Sequence, residues 1–145
     1  MAAKPLQFWF RGAALKAIRP ATILAVDDNE MHLYAVKRIL SHAGFTVAEA
    51  SNGTQALDRV REKPDLIILD VNLPDGNGFE ICKSLKQNPE TAGIPVVFLS
   101  STFDQAWGKQ WAQHLGAQEF LAHPILADQL TAIVNGVLSR HTAGH

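Results

Sequence analysis

Leu66-Ile67-Ile68-Leu69-Asp70, followed by Val71-Asn72-Leu73-Pro74-Asp75-Gly76-Asn77-Gly78, is the stretch on which the reading of this chain turns. Four consecutive apolar residues closed by turn formers fit a strand buried on both faces, and such strands belong to parallel sheets covered by helices on each side. Asp70 then sits where the strand ends. In open parallel sheets ligands bind outside the carboxyl ends of the strands, so a carboxylate at that point is placed to be functional; a solvated acid that starts a turn fits the same residues.

The flanking sequence repeats the pattern. Thr22-Ile23-Leu24-Ala25-Val26 reads as a strand running into Asp27-Asp28-Asn29-Glu30, two acids and a helix-capping residue. Leu33, Val36, Ile39, Leu40 and Ala43 recur at helical spacing until Gly44, and Thr46 to Ala50 is a second strand. Gly53 to Lys63 reads as a helix with Ala56, Leu57 and Val60 inward, stopped by Pro64. After the Leu66 strand comes a short helix, Phe79 to Gln87, with Ile81, Cys82 and Leu85 toward the sheet. Pro95 to Leu99 is a fourth strand, ending at Ser100-Ser101-Thr102. Asp104 to Leu115 is a helix with Trp107 and Trp111 one turn apart, a spacing that fits partly buried stacking or a docking site. Gln118 to Ala122 is a fifth strand followed by His123-Pro124, and a helix with Leu126, Leu130, Ile133, Val134, Val137 and Leu138 inward runs to about Ser139. Strands and helices alternating five times call for an α/β fold, a doubly wound parallel sheet with right-handed crossovers.

Composition sets the class. A chain of 145 residues with 47% hydrophobic and 19% charged residues suits one soluble globular domain. The single cysteine, Cys82, excludes an internal disulfide and is read as packing in a reducing compartment, consistent with a cytoplasmic location. Lys4, Arg11, Lys16 and Arg19 leave nine Lys and Arg against fourteen Asp and Glu in the remainder, a mildly acidic body that argues against nucleic acid as partner. No apolar run is long enough to span a bilayer. Residues 1–20 are basic and apolar without a single helical stripe, which leaves an arm packed on the domain, a linker or dimerisation element, or a membrane-surface anchor. The domain is assigned to residues 21–140. Residues 141–145, with His141 and His145, are read as a solvated tail.

Parallel order gathers Asp27, Asp28, Asp70, Ser100 and His123 at one edge of the sheet. Three carboxylates converging with no Arg or Lys among them need a counter-charge, and a hard divalent cation with oxygen ligands, such as Mg²⁺, supplies it.

These stretches resemble the receiver domain of two-component response regulators, single-domain type. The resemblance is carried by Ala25-Val26-Asp27-Asp28-Asn29, Ile68 to Gly78, Phe98-Leu99-Ser100-Ser101 and Gly116 to Pro124, in that order, and covers residues 21–139. It implies a flavodoxin-like sheet of order 2-1-3-4-5. It also implies that Asp70 takes a phosphoryl group from a phosphohistidine on a sensor histidine kinase or phosphotransfer protein. Asp27, Asp28, Asp70 and the Asn72 backbone carbonyl would hold Mg²⁺, Ser100 would hydrogen-bond a phosphoryl oxygen, and Phe120 would be the aromatic switch. Output would pass to an effector protein through the fourth helix, fifth strand and fifth helix, without enzymatic turnover of another substrate. Where the family has lysine, this chain has His123, shorter and mostly neutral near pH 7. A phosphorylation-independent interaction module on the same fold is the alternative reading.

Other readings fail on particular residues. Aspartyl phosphatases place a second acid two positions on, where Asn72 stands. A calcium loop starting at Asp70 would need glycine at Asp75 and glutamate at Ile81. A dinucleotide site needs a glycine-rich turn where Asp27-Asp28-Asn29-Glu30 lies. A stand-alone domain must act in trans, unless the chain is one piece of a larger sensor kinase; a homodimer is a candidate assembly.

Overall fold

The computed structural model describes residues 20–102 and 105–143. Its sheet contains β1 (Thr22–Val26), β2 (Thr46–Ala50), β3 (Leu66–Leu69), β4 (Val96–Ser100) and β5 (Glu119–Ala122), all parallel and ordered β2-β1-β3-β4-β5. Helices α1 (Glu30–His42), α2 (Gly53–Arg59), α3 (Gly78–Gln87), α4 (Gln105–Leu115) and α5 (Ala127–Ala143) alternate with the strands.

The continuous apolar run of β3 has a direct structural meaning. Leu66 and Ile68 point into one core, with Ile23, Ala25, Val97, Leu99 and Leu121, covered by Leu33, Val36 and Leu40 of α1 and Leu130, Val134 and Val137 of α5. Ile67 and Leu69 point into the other, with Leu24, Val26 and Phe98, covered by α2, α3 and α4 through Ala56, Phe79, Cys82, Leu85 and Ala112. Each buried aliphatic side chain contributes about 1.5–3 kcal/mol against the entropy of ordering it. Cys82 is fully buried, as packing requires.

Local signals set the helix ends. Asn29, Asn52 and Asn77 cap α1, α2 and α3, accepting from the backbone N–H groups of His32 (3.0 Å), Gln55 (2.8 Å) and Phe79 (2.7 Å). Gly44, at φ +100°, closes α1 in the left-handed conformation glycine tolerates.

Four features depart from the sequence expectations. The second helix is shorter than Gly53–Lys63: α2 ends at Arg59, a 3-10 turn covers Val60–Glu62 and Lys63 caps it at φ 56°; Pro64 disfavours continuing the helix through the residue before it. Leu57 is 46% exposed, since the buried stripe is Gly53, Ala56 and Val60 and the next residue lies about 100° around the helix. Leu126 is 74% exposed because it precedes α5, where its carbonyl accepts the Leu130 N–H at 2.9 Å. Finally, α5 runs past Ser139 to Ala143, so much of the expected tail is helix; Arg140 and His141 favour its last turn, and no Gly or Pro intervenes before Gly144. The arm assigned to residues 1–20 lies, but for Pro20, outside the described residues, as do Asp104 and His145.

Between β3 and α3 the chain forms a small antiparallel ribbon, Asn72–Leu73 with Gly76–Asn77. Its tip reaches another element: Asp75 accepts the Gly53 and Thr54 N–H groups at 2.7 and 3.0 Å and the Thr54 hydroxyl at 2.9 Å. Those bonds, made at the start of α2, hold the Asp75 carboxyl below its ordinary range.

Two glycines are required by close approach. Gly78 opens α3 against the Asp70 carbonyl, where a Cβ would overlap the oxygen. Gly108, on α4, leaves space that the ring of fully buried Phe120 fills; a Cβ there would overlap the ring. Trp107 and Trp111 of α4 stack at 6.1 Å, each edge-on to Phe79 and 48% and 40% exposed, so they are packing and surface at once.

Replacing Gly78 by alanine is expected to destabilise the domain by about 1–3 kcal/mol, since the obstacle is backbone that cannot move aside. Gly76→Ala, with open space around it, is the matched control and is expected to fall within about 0.5 kcal/mol of the parent in urea unfolding.

Candidate functional site

The ladder that pairs the strands also fixes the residues just beyond them. The Asp27 N–H donates to Ala50 O (3.0 Å), the Asp70 N–H to Val26 O (2.9 Å) and the His123 N–H to Ser100 O (3.0 Å). Each residue is thus held by the strand beside its own. Asp27, Asp28 and Asp70 come together, one carboxylate oxygen from each lying within 4.8 Å of the others. Asp27 is 6% exposed and makes an Asx turn, its Oδ1 accepting the Asn29 N–H at 2.9 Å.

A cleft of about 260 Å³ opens here, lined by the three acids together with Asn72, Ser101 and Thr102, and among the described residues no Lys or Arg lines it. The electrostatic consequence falls on Asp70. Burial and the charge of Asp27 push its carboxyl up to about 7, although the Asn72 and Val71 N–H groups pull the other way. The donor set is all oxygen, uncompensated and gathered at one point, and it fits a hard divalent cation.

The hydroxyl and histidine are arranged differently from the acids. Ser100 is buried, and its Oγ lies 3.2 Å from Thr102 Oγ1 and accepts the Thr102 N–H at 3.3 Å. Thr102 Oγ1 in turn accepts from Asn72 Nδ2 at 2.6 Å, joining the segment after β4 to the segment after β3. His123, preceding a cis peptide to Pro124, turns toward α1. Its ring stacks on that of His32 at 3.9 Å and 16°. Its Nε2 lies 3.8 Å from Asp27 Oδ2, too far for a hydrogen bond, and has no partner although buried. Burial and His32 push the His123 imidazole down, against the pull of Asp27, so the contact is not an ion pair near neutral pH. His32 Nδ1 makes the shorter approach to Asp27 Oδ2, 3.2 Å. Phe120 is fully buried among Phe79, Phe98 and Gly108, away from the acids.

His32, Thr102 and Asp75 were not anticipated from the sequence. His32 had a local signal: three residues after the cap Asn29, it occupies the position from which side chains reach back over a helix start. Asp75 had none, since its partners lie 21 and 22 residues away.

Residues 23–135 match the response regulator receiver domain. The chain is 35% identical over 120 residues to protein PilH of Pseudomonas aeruginosa, covering 82% of this chain and 98% of PilH. It is 28% identical over 120 residues to the polar-differentiation response regulator DivK of Brucella anthropi, covering 82% and 97%. Among solved structures, the chemotaxis response regulator CheY4 of Vibrio cholerae superposes with a TM-score of 0.75 at 30% identity, covering 82% of this chain and 99% of CheY4. A match that runs from within β1 through β5 and spans the acids at the ends of β1 and β3 makes this chain a member of the response regulator receiver domain family of two-component systems.

Proposed function

We propose that the chain accepts a phosphoryl group at Asp70 from a phosphohistidine on a sensor histidine kinase or phosphotransfer protein. The observation that carries this reading is the convergence of Asp27, Asp28 and Asp70 in a cleft that no Lys or Arg lines among the described residues. Asp27, Asp28, Asp70 and the Asn72 carbonyl would hold Mg²⁺, which neutralises charge on the transferring group. An Asp70 carboxylate oxygen attacks phosphorus as the P–N bond to the donor histidine breaks, giving an acyl phosphate on Asp70 and leaving the electron pair on the imidazole. Ser101 and Thr102 line the cleft beside Asp70, and Ser100, joined to Thr102, is the hydroxyl expected to meet a phosphoryl oxygen. A new dianion would draw on those hydroxyls, and the segment carrying them leads into α4. Phe120 lies directly beneath α4, so the α4-β5-α5 face is the proposed route to an effector protein.

As a receiver the chain is regulatory, with at most self-catalysed phosphorylation and dephosphorylation. No described helix is long and apolar enough to cross a membrane. A cytoplasmic location suits the proposed donors.

The turn of His123 toward α1 favours a second reading, in which the fold serves as a phosphorylation-independent interaction module. Intact-mass analysis after incubation with a small phosphodonor and Mg²⁺ separates the two. The first predicts one added phosphoryl group on the parent and none on Asp70→Asn, with a change in Trp fluorescence; the second predicts no added mass.

Proton and metal compete for Asp70, so Mg²⁺ affinity is expected to rise with pH up to about 7 and then level off, as measured by calorimetry. Without metal, the folded state keeps the Asp70 proton above the ordinary value of 3.8, so stability falls as pH rises from about 4 to about 7. Asp70→Asn is therefore expected to raise the metal-free Tm at pH 8 and to have little effect near pH 4.

Lysine at position 123 would restore a charge-assisted hydrogen bond to the phosphoryl group, worth about 1.5–3 kcal/mol. His123→Lys is expected to raise the phosphorylated fraction at a fixed donor concentration by about tenfold or more, and to enlarge the fluorescence change.

A further inference from the structure

We propose that Asp27, His32 and His123 form a second metal site, for a borderline divalent ion of the Zn²⁺ or Co²⁺ class, which shares Asp27 with the all-oxygen site and competes with Mg²⁺ for it. The binding stands on these three residues alone, whereas the competition rests on the reading of Asp27, Asp28 and Asp70 as the Mg²⁺ site.

One atom from each of the three side chains lies within 4.8 Å of the other two. Asp27 Oδ2 is 3.2 Å from His32 Nδ1 and 3.8 Å from His123 Nε2. A tetrahedral ion with bonds of about 2.0–2.1 Å places its ligands roughly 3.3–3.4 Å apart, close to the two distances from Asp27 Oδ2. The donor types differ from those of the neighbouring site: two imidazoles and one carboxylate select nitrogen-seeking metals, while three carboxylates select Mg²⁺. His123 Nε2 is buried with no hydrogen-bond partner beside a carboxylate, and in the tautomer that carries its proton on Nδ1 this nitrogen is a metal ligand that a bound ion would satisfy. Among the described residues these are the two groups of three His, Cys, Asp or Glu able to hold a metal, and both contain Asp27.

The stacked rings define what binding requires. At 3.9 Å and 16° the two imidazoles lie nearly parallel, so their lone pairs run side by side rather than toward one point. One ring must turn about its Cβ–Cγ bond. His32 is the one free to do so, with its side chain 30% exposed against 11% for His123. The His123 backbone stays tied to Ser100 O. Metal capture therefore unstacks the pair and takes a lone pair of Asp27, the residue most buried of the three acids. The remaining coordination positions go to solvent, as in three-ligand zinc sites.

The test is a Co²⁺ titration of the metal-free protein followed by visible absorption, with calorimetric Mg²⁺ titrations in the presence and absence of saturating Zn²⁺. The parent is expected to bind one Co²⁺ with ligand-field bands, at an affinity that His32→Ala, His123→Ala and His123→Lys each lower at least tenfold and His114→Ala leaves unchanged. Zn²⁺ is expected to lower Mg²⁺ affinity at least tenfold in the parent and not in His32→Ala. Thermal melts of the metal-free variants establish that they fold; should His123→Ala not fold, the more exposed His32→Ala decides. Binding that is absent, or that both histidine variants leave intact, overturns the site. His-dependent binding with Mg²⁺ affinity unchanged by Zn²⁺ overturns the competition alone. A parent that binds Co²⁺ as expected but no Mg²⁺ overturns the phosphoacceptor metal site and leaves the histidine site standing.

Discussion

A strand with no exposed residue must be covered on both sides, and β3 imposes that requirement on the rest of this chain. Leu66 and Ile68 need one layer of helices and Ile67 and Leu69 another, so the crossovers from strand to strand must alternate between faces of the sheet. The same burial confines polarity to the strand ends. Asp70 is the first residue beyond the run that meets the cleft, and the backbone bond from its N–H to Val26 O brings it level with the acids that follow β1. The site is a by-product of how an apolar strand is sheltered.

What collects there is charge without compensation. At the end of the fifth strand an imidazole that burial and His32 keep from charging turns toward α1 and stacks on a second one. Asp27 is consequently drawn upon from two directions, by carboxylates on one side and imidazoles on the other. Burial, and with it the charge of Asp27, raises the Asp70 carboxyl at the same place.

The parts of this arrangement that were legible in the sequence are those written in local pattern. Apolar runs ending on Asp27 and Asp70 located both acids, Asn29 and Gly44 bounded α1, and the alternation of strand and helix carried the parallel sheet, whose strand order came from the family resemblance. Leu57 and Leu126 are apolar yet exposed; the face of a seven-residue helix and the last residue before another are decided by packing partners that periodicity does not reveal. His123 was visible as a substitution, but its orientation depends on His32, ninety-one positions away in sequence and adjacent only after folding. Asp75 likewise joins a ribbon tip to a helix that the chain had completed earlier, and only the fold brings the two together.

The meeting of Gly108 and Phe120 has a mechanical consequence. The ring lies in a slot that exists only because one residue of α4 lacks a side chain. A swing of the ring toward solvent would leave a void one aromatic ring in size beneath the helix, and close-packed interiors do not keep such voids. The helix would have to slide or tilt to fill it, and Trp107 and Trp111 would travel with it. Ring and helix are thus geared: neither can change position alone, and a rearrangement too small to alter the sheet would still redraw the aromatic surface that α4 shows to a partner.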